Sequence, residues 1–262
     1  MIRLKTAKEI ATIRRAGRIL AELFRHLQER VAPGVTTADL DRWAEAFIRA
    51  HEGAEPAFKG LYGFPATLCV SINEEVVHGI PSERRRLREG DIVSLDCGVR
   101  YQGLYADAAV TLPVGAVTPE VARLLRVTRE ALAAGIAAAQ PGRRVSDIGA
   151  AVEAVARAHG YGVVRDLVGH GVGHAPHEDP QVPNYFDPTQ RDRLRPGMVL
   201  AIEPMLTLGT HRIRVLADRW TVVTEDRSWA AHFEHTVAIT PQGPRVLTDA
   251  DSCPEIAESV SL

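Results

Sequence analysis

The sequence predicts an α+β fold made of two related halves, about 1–113 and 114–250, within a single domain of 262 residues. Three observations predict it. A segment of the first half recurs in the second, the recurring segments carry helical apolar stripes, and several strand-like apolar runs are interrupted by a carboxylate. The halves are expected to share one core and a pseudo-twofold axis.

In chain order, the first helix is expected over roughly Lys8 to Arg30. APGVTTADLDRWAEAFIRAHE (Ala32 to Glu52) then matches QPGRRVSDIGAAVEAVARAHG (Gln140 to Gly160) at an offset of 108. Pro33, Gly34, Asp39, Glu45 and His51 recur as Pro141, Gly142, Asp147, Glu153 and His159. Leu40, Trp43, Ala44, Phe47 and Ile48 in one copy, and Ile148, Ala151, Val152, Val155 and Ala156 in the other, form the stripe of a helix packed by one face. DIVSLDCGVRYQGLYADAAVTL (Asp91 to Leu112) reads as two strands around a turn at Arg100 to Gly103. With Tyr101 and Gln102 at the turn centre, Asp96 falls opposite Asp107, their Cβ atoms roughly 5 Å apart. A second long helix is expected over Pro119 to Ala139. REGDIVSLD (Arg88 to Asp96) aligns with RPGMVLAIE (Arg195 to Glu203) at an offset of 107, which makes Asp96 and Glu203 repeat partners.

Composition narrows the function classes. A formal charge of -2 gives no general electrostatic attraction to nucleic acid or an anionic membrane. No apolar run is long enough to span a bilayer, and the N-terminus lacks a signal-peptide core, so a cytoplasmic location is expected. Cys69, Cys97 and Cys253 lack CxxC spacing, so any metal must be held by His, Asp and Glu.

Asp96, Asp107, Glu203 and Glu234 all interrupt apolar runs, and burying such charges unpaired costs several kcal/mol each. Their convergence calls for positive charge, and two divalent cations neutralise four carboxylates. One neutral imidazole fits as a fifth ligand, a donor set suited to Mn²⁺, Fe²⁺, Co²⁺ or Zn²⁺. Paired metals of this kind run hydrolysis. The segment GHGVGHAPHEDP (Gly169 to Pro180) offers His170, His174 and His177 between glycines that let backbone come close, and at least one of the three is expected at the cluster. HEDPQ is not HExxH, and GxGxxG, GxxxxGK[ST] and GxSxG are absent, which removes zincin, nucleotide-binding and serine-hydrolase readings.

SINEEVVHGIP, DIVSLDCGVRYQGLYAD, GHGVGHAPHEDPQVPNY, AIEPM and FEHTV, in that order, resemble the type I methionine aminopeptidases of the pita-bread fold, from about Ile10 to Leu247. The resemblance implies a central antiparallel sheet covered by helices. It makes Asp96, Asp107, His170, Glu203 and Glu234 ligands of two divalent ions, with Asp107 and Glu234 bridging and a bridging water or hydroxide as nucleophile. It implies Glu203 as general base, His177 as donor to the developing oxyanion and His78 as contact to the scissile amide. Phe58, Leu61, Phe64, Cys69 and Trp220 are placed around the substrate methionine. Leu61 stands where Tyr is frequent and Pro176 where Phe is frequent, so the pocket is expected to differ in shape. His174 has no implied role and is expected to bond locally or meet solvent.

The implied activity is removal of N-terminal methionine from nascent proteins with a small second residue, by a monomer. Ribosome contact is left open. Proline-specific peptidases share the ligand set but usually carry a further N-terminal domain. Type II methionine enzymes insert a helical segment where only 25 residues separate His177 from Glu203 here. Binding-only relatives lose ligands, and this chain keeps five.

Overall fold

Helix starts are set by short-range caps. In a computed structural model that describes residues 1–249, helix α1 (Ala7–Gln28) opens with a reciprocal pair: the Thr6 amide donates to Glu9 Oε2 at 2.7 Å, and the Glu9 amide donates to Thr6 Oγ1 at 3.3 Å. Helix α2 (Thr37–Arg49) repeats the device with Thr36 and Asp39. Helix α3 (Pro119–Ala138) begins with Thr118 followed by proline, whose missing N–H is no loss in the first turn. In helix α4 (Val145–His159) the Arg144 amide donates to Asp147, and Gly160 closes the helix in the left-handed region at φ +75°.

The repeat extends to hydrogen bonds. The Gly34 amide donates to the Leu87 carbonyl and the Gly142 amide to that of Leu194; the Arg86 and Arg193 guanidinium groups bond the Gly34 and Gly142 carbonyls. Each half has its own large apolar cluster, where the sequence suggested one shared core. In the first, Ile13, Leu20, Leu40 and Ile48 pack with Val93, Leu95 and Val99; in the second, Leu124, Ile148 and Val152 pack with Leu200, Ile202 and Val237. Each helix pair covers the strands of its own half, while Val172 of the second half packs in the first cluster and Ile92 of the first half in the second.

All strand pairings among the described residues are antiparallel. The hairpin of Ile92–Tyr101 and Leu104–Pro113 corrects the expected register: Asp96 lies opposite Ala109, and Asp107 opposite Gly98. The turn centre is Gln102 and Gly103, both at positive φ (+47° and +86°), as a two-residue turn matching strand twist requires. The shift is two residues along the partner strand, so both aspartates keep one face and become diagonal neighbours.

The halves meet where Leu104–Pro113 runs beside residues 232–236. Ala109 and Glu234 exchange backbone hydrogen bonds at 2.9 and 3.4 Å. On either side a threonine hydroxyl replaces the direct bond. Thr236 Oγ1 accepts from the Asp107 amide at 2.9 Å and donates to its carbonyl at 2.7 Å; Thr111 Oγ1 does the same for His232, at 2.9 and 2.7 Å. This junction brings the acids of both halves together. Cys253 lies outside the described residues.

Candidate metal centre

Asp96 and Asp107 project from the hairpin, Glu203 follows strand Val199–Ile202, and Glu234 sits at the junction between strands Ala230–His232 and His235–Thr240. His170 lies in Gly169–Gly171, opposite Ala201. A Cβ at Gly169 would overlap the Ala201 carbonyl oxygen, and one at Gly171 that of Asp179. These glycines therefore let neighbouring backbone close around His170 and do not themselves line the site.

The five residues line one cavity of about 300 Å³. Oxygens of Asp96, Asp107 and Glu234 lie within 4.8 Å of one another, and so do donor atoms of His170, Glu203 and Glu234. Glu203 Oε1 is 3.4 Å from His170 Nε2. Among the described residues no Lys or Arg lines the cavity, and Asp96 Oδ1, Asp107 Oδ1 and Glu234 Oε1 are buried without a protein hydrogen-bond partner. Burial first, then mutual repulsion, holds Asp96, Glu203 and Glu234 well above the usual carboxylate range, and burial lifts Asp107 to about 7. Burial and neighbouring His177 lower His170 to about 4, so its imidazole is neutral at pH 7. His170 Nδ1 is 2.9 Å from the Gly171 carbonyl, which assigns the proton there and leaves the Nε2 lone pair facing the acids. Orphaned oxygens beside an oriented imidazole fit a divalent metal site.

His78 and His177 line the same cavity, with Phe58, Leu61, Phe64, Cys69 and Trp220. Phe64 meets Trp220 edge-on at 5.1 Å, and His78 meets it edge-on at 6.4 Å. His78 sits at φ +60°, next to Gly79, whose amide donates to Ser71 Oγ at 3.0 Å. The His170 and His177 ring centres are 4.5 Å apart. Burial lowers both His78 and His177 from the usual histidine range.

Two side chains beside the acids and loop histidines, Tyr62 and His232, were not singled out in the sequence. Tyr62 stacks on His177 at 5.8 Å, with its hydroxyl 3.5 Å from Nδ1, while Pro176 does not line the cavity. The signal was an aromatic ring between Gly60 and Gly63 in GLYGF, one position past Leu61. His232 is buried, with Nε2 3.7 Å from Glu203 Oε2 and 4.0 Å from Glu234 Oε2. His174 points elsewhere: its amide bonds locally to Glu178 Oε1, as expected of a loop residue, while its ring Nε2 is 2.7 Å from Glu9 Oε1, 165 residues away. Glu178 ties the same loop to the N-terminal segment through Lys5 at 2.6 Å.

An acid-rich centre at the seam of two repeats, open to an apolar pocket, defines a metal-dependent hydrolase. The chain belongs to metallopeptidase family M24, whose model matches residues 11–241. It is 51% identical to a protein named methionine aminopeptidase from Clostridium perfringens, over 95% of this chain and 99% of that one. It is 48% identical to methionine aminopeptidase 1 of Bacillus subtilis, again over 95% of this chain and 99% of the other. The crystal structure of methionine aminopeptidase from Thermotoga maritima superposes with a TM-score of 0.93 at 46% identity, covering 95% of this chain and all of that one. A prolidase from Pyrococcus furiosus superposes at 0.76 with 25% identity, over 94% of this chain and 65% of its own. The fold is the pita-bread fold.

Proposed function

We propose that this chain removes N-terminal methionine from polypeptides whose second residue is small, with two divalent ions held by Asp96, Asp107, His170, Glu203 and Glu234. The observation that carries the reading is that the acid cluster, the two histidines His78 and His177 and an apolar pocket share one cavity. Three groups of donors converge, and Glu234 and Asp107 each belong to two of them, which supports a site where these residues would hold more than one ion. Ions held there, of Mn, Fe, Co or Zn, would supply Lewis acidity and lower the pKa of water toward neutral.

The remaining work falls to side chains. Phe58, Leu61, Phe64, Cys69 and Trp220 desolvate the methionine side chain and fix the scissile carbonyl beside the acids. Glu203 takes the proton of the attacking water and returns it to the leaving amine. Tyr62 meets His177 on Nδ1, which leaves Nε2–H to donate to the carbonyl oxygen as negative charge develops. His78 contacts the scissile amide. Ligands come from both repeats, which supports reading the halves as one catalytic domain. The same reading has the enzyme working as a cytoplasmic monomer on nascent-chain N-termini.

Metal-stripped, reloaded protein offered Met-Ala-Ser, Met-Leu-Ser and Ala-Pro-Ala tests it. Methionine should be released from the first far faster than from the second. Preference for Ala-Pro-Ala would move the chain to the proline-specific members of its family.

A further inference from the structure

His232 is 1% exposed, and neither ring nitrogen has a protein hydrogen-bond partner among the described residues. Its backbone is held on two sides. Thr111 Oγ1 accepts from the His232 amide and donates to the His232 carbonyl, which leaves the Ser94 hydroxyl, 2.8 Å away, as donor to Thr111 Oγ1. Across the sheet His232 pairs with Met205, two residues beyond Glu203, so strand pairing aims the ring at that carboxylate. Glu203 then stands between two imidazoles, Oε1 3.4 Å from His170 Nε2 and Oε2 3.7 Å from His232 Nε2.

A neutral imidazole carries one N–H, and a buried donor left unpaired is destabilising. Both carboxylates near His232 lie on its Nε2 side, and Glu203 is the nearer. We propose that His232 is a positioning residue for Glu203, its Nε2–H donating to Oε2 and so keeping Oε1 turned toward His170 and the metal. The separation is beyond hydrogen-bond length, and the terminal torsion of a glutamate is soft enough to close it. The proposal rests on Glu203 being a ligand.

The test uses Co²⁺ titrated into metal-stripped protein, read by calorimetry and by visible absorption, with folding checked by circular dichroism. His232→Leu, which has no donor, should bind Co²⁺ on the order of 10–100-fold more weakly and shift the absorption bands, as expected when a ligand's outer partner is lost. His232→Gln, whose amide keeps an N–H, should restore affinity to within about threefold of wild type. Leucine and wild-type proteins with the same affinity and spectrum would overturn the proposal. Equal losses in both variants would also overturn it, because His232 would then be a ligand in its own right. If the leucine variant does not fold, ¹⁵N NMR of the Zn²⁺-loaded wild type decides: Nε2 should carry the proton, and an unprotonated Nε2 refutes the assignment. Failure of the wild type to bind Co²⁺ at all would instead count against the metal-centre reading itself.

Discussion

His170 and His177 come from one loop and sit ring against ring, yet their nitrogens have different partners. His170 is tied through Nδ1 to the Gly171 carbonyl and offers Nε2 to the acids; His177 is the more open to solvent of the two and meets the Tyr62 hydroxyl at Nδ1. The alanine variants should fail differently. His170→Ala should bind metal roughly tenfold or more weakly and recover part of its activity at high metal concentration. His177→Ala should keep its metal and lose on the order of 10²–10³ in kcat. Metal content and steady-state kinetics, measured together, check this, and loss of metal from the His177 variant alone would reverse the roles. Asp96→Asn should lose metal by elemental analysis, because it removes one negative charge from a buried set that nothing else neutralises. Both loop histidines were legible because glycines and histidines crowd a segment poor in core residues. His232 was not, since its nearness to Glu203 arises from pairing with Met205 across a sheet.

At the element scale, the junction between halves depends on two hydroxyls. Thr111 and Thr236 are wholly buried and satisfy the backbone groups of His232 and Asp107. Thr236→Val, nearly equal in shape, leaves an amide and a carbonyl without partners and should destabilise by about 1–3 kcal/mol in chemical denaturation. Thr236→Ser should recover most of that, and a valine variant as stable as wild type would refute the bridging role. A second link joins helix α1 to the loop bearing His177. Hydrogen bonds from the Thr6 backbone and His174 lower Glu9 to about 2, from 4.5. A depressed carboxylate stabilises above its unfolded value, and that contribution is lost as pH falls from about 4.5 toward 2. Glu9→Gln should therefore destabilise by about 1–2 kcal/mol at pH 7 after allowance for solvent screening, and by less at pH 3.5. A gap that stays constant between the two pH values would contradict the assignment.

For the whole molecule, the acid cluster sets a pH dependence of opposite sign. Burial raises Asp107 to about 7, and Asp96, Glu203 and Glu234 also stand above their usual range. A carboxylate with a raised folded value stabilises below its unfolded value, and that stability is lost as pH rises through the folded one. Metal-stripped protein should thus lose thermal stability as pH climbs from about 4 to 8. Metal binds the deprotonated ligands, so the Tm gain on loading should grow over the same window. Thermal melts of stripped and loaded protein at pH 5, 6, 7 and 8 check it; a pH-independent gain would argue against metal neutralising these acids.

By itself the sequence determined the repeat, the four helices and their buried faces, and the need for a cation among acids set in apolar strands. Those features rest on caps, periodicity and desolvation, which act over a few residues or on any buried charge. Even the hairpin error was local: the two positive-φ positions fell on Gln102 and Gly103, one residue later than placed, and the matching parity kept Asp96 and Asp107 on one face. Tertiary structure alone decided which side chains from distant segments meet. Glu9 reaches His174, Thr236 reaches Asp107, and His232 reaches Glu203, each across strands or helices whose ends come together only when both halves close. No spacing in the chain encodes such a meeting, because it depends on register and packing summed over the intervening fold.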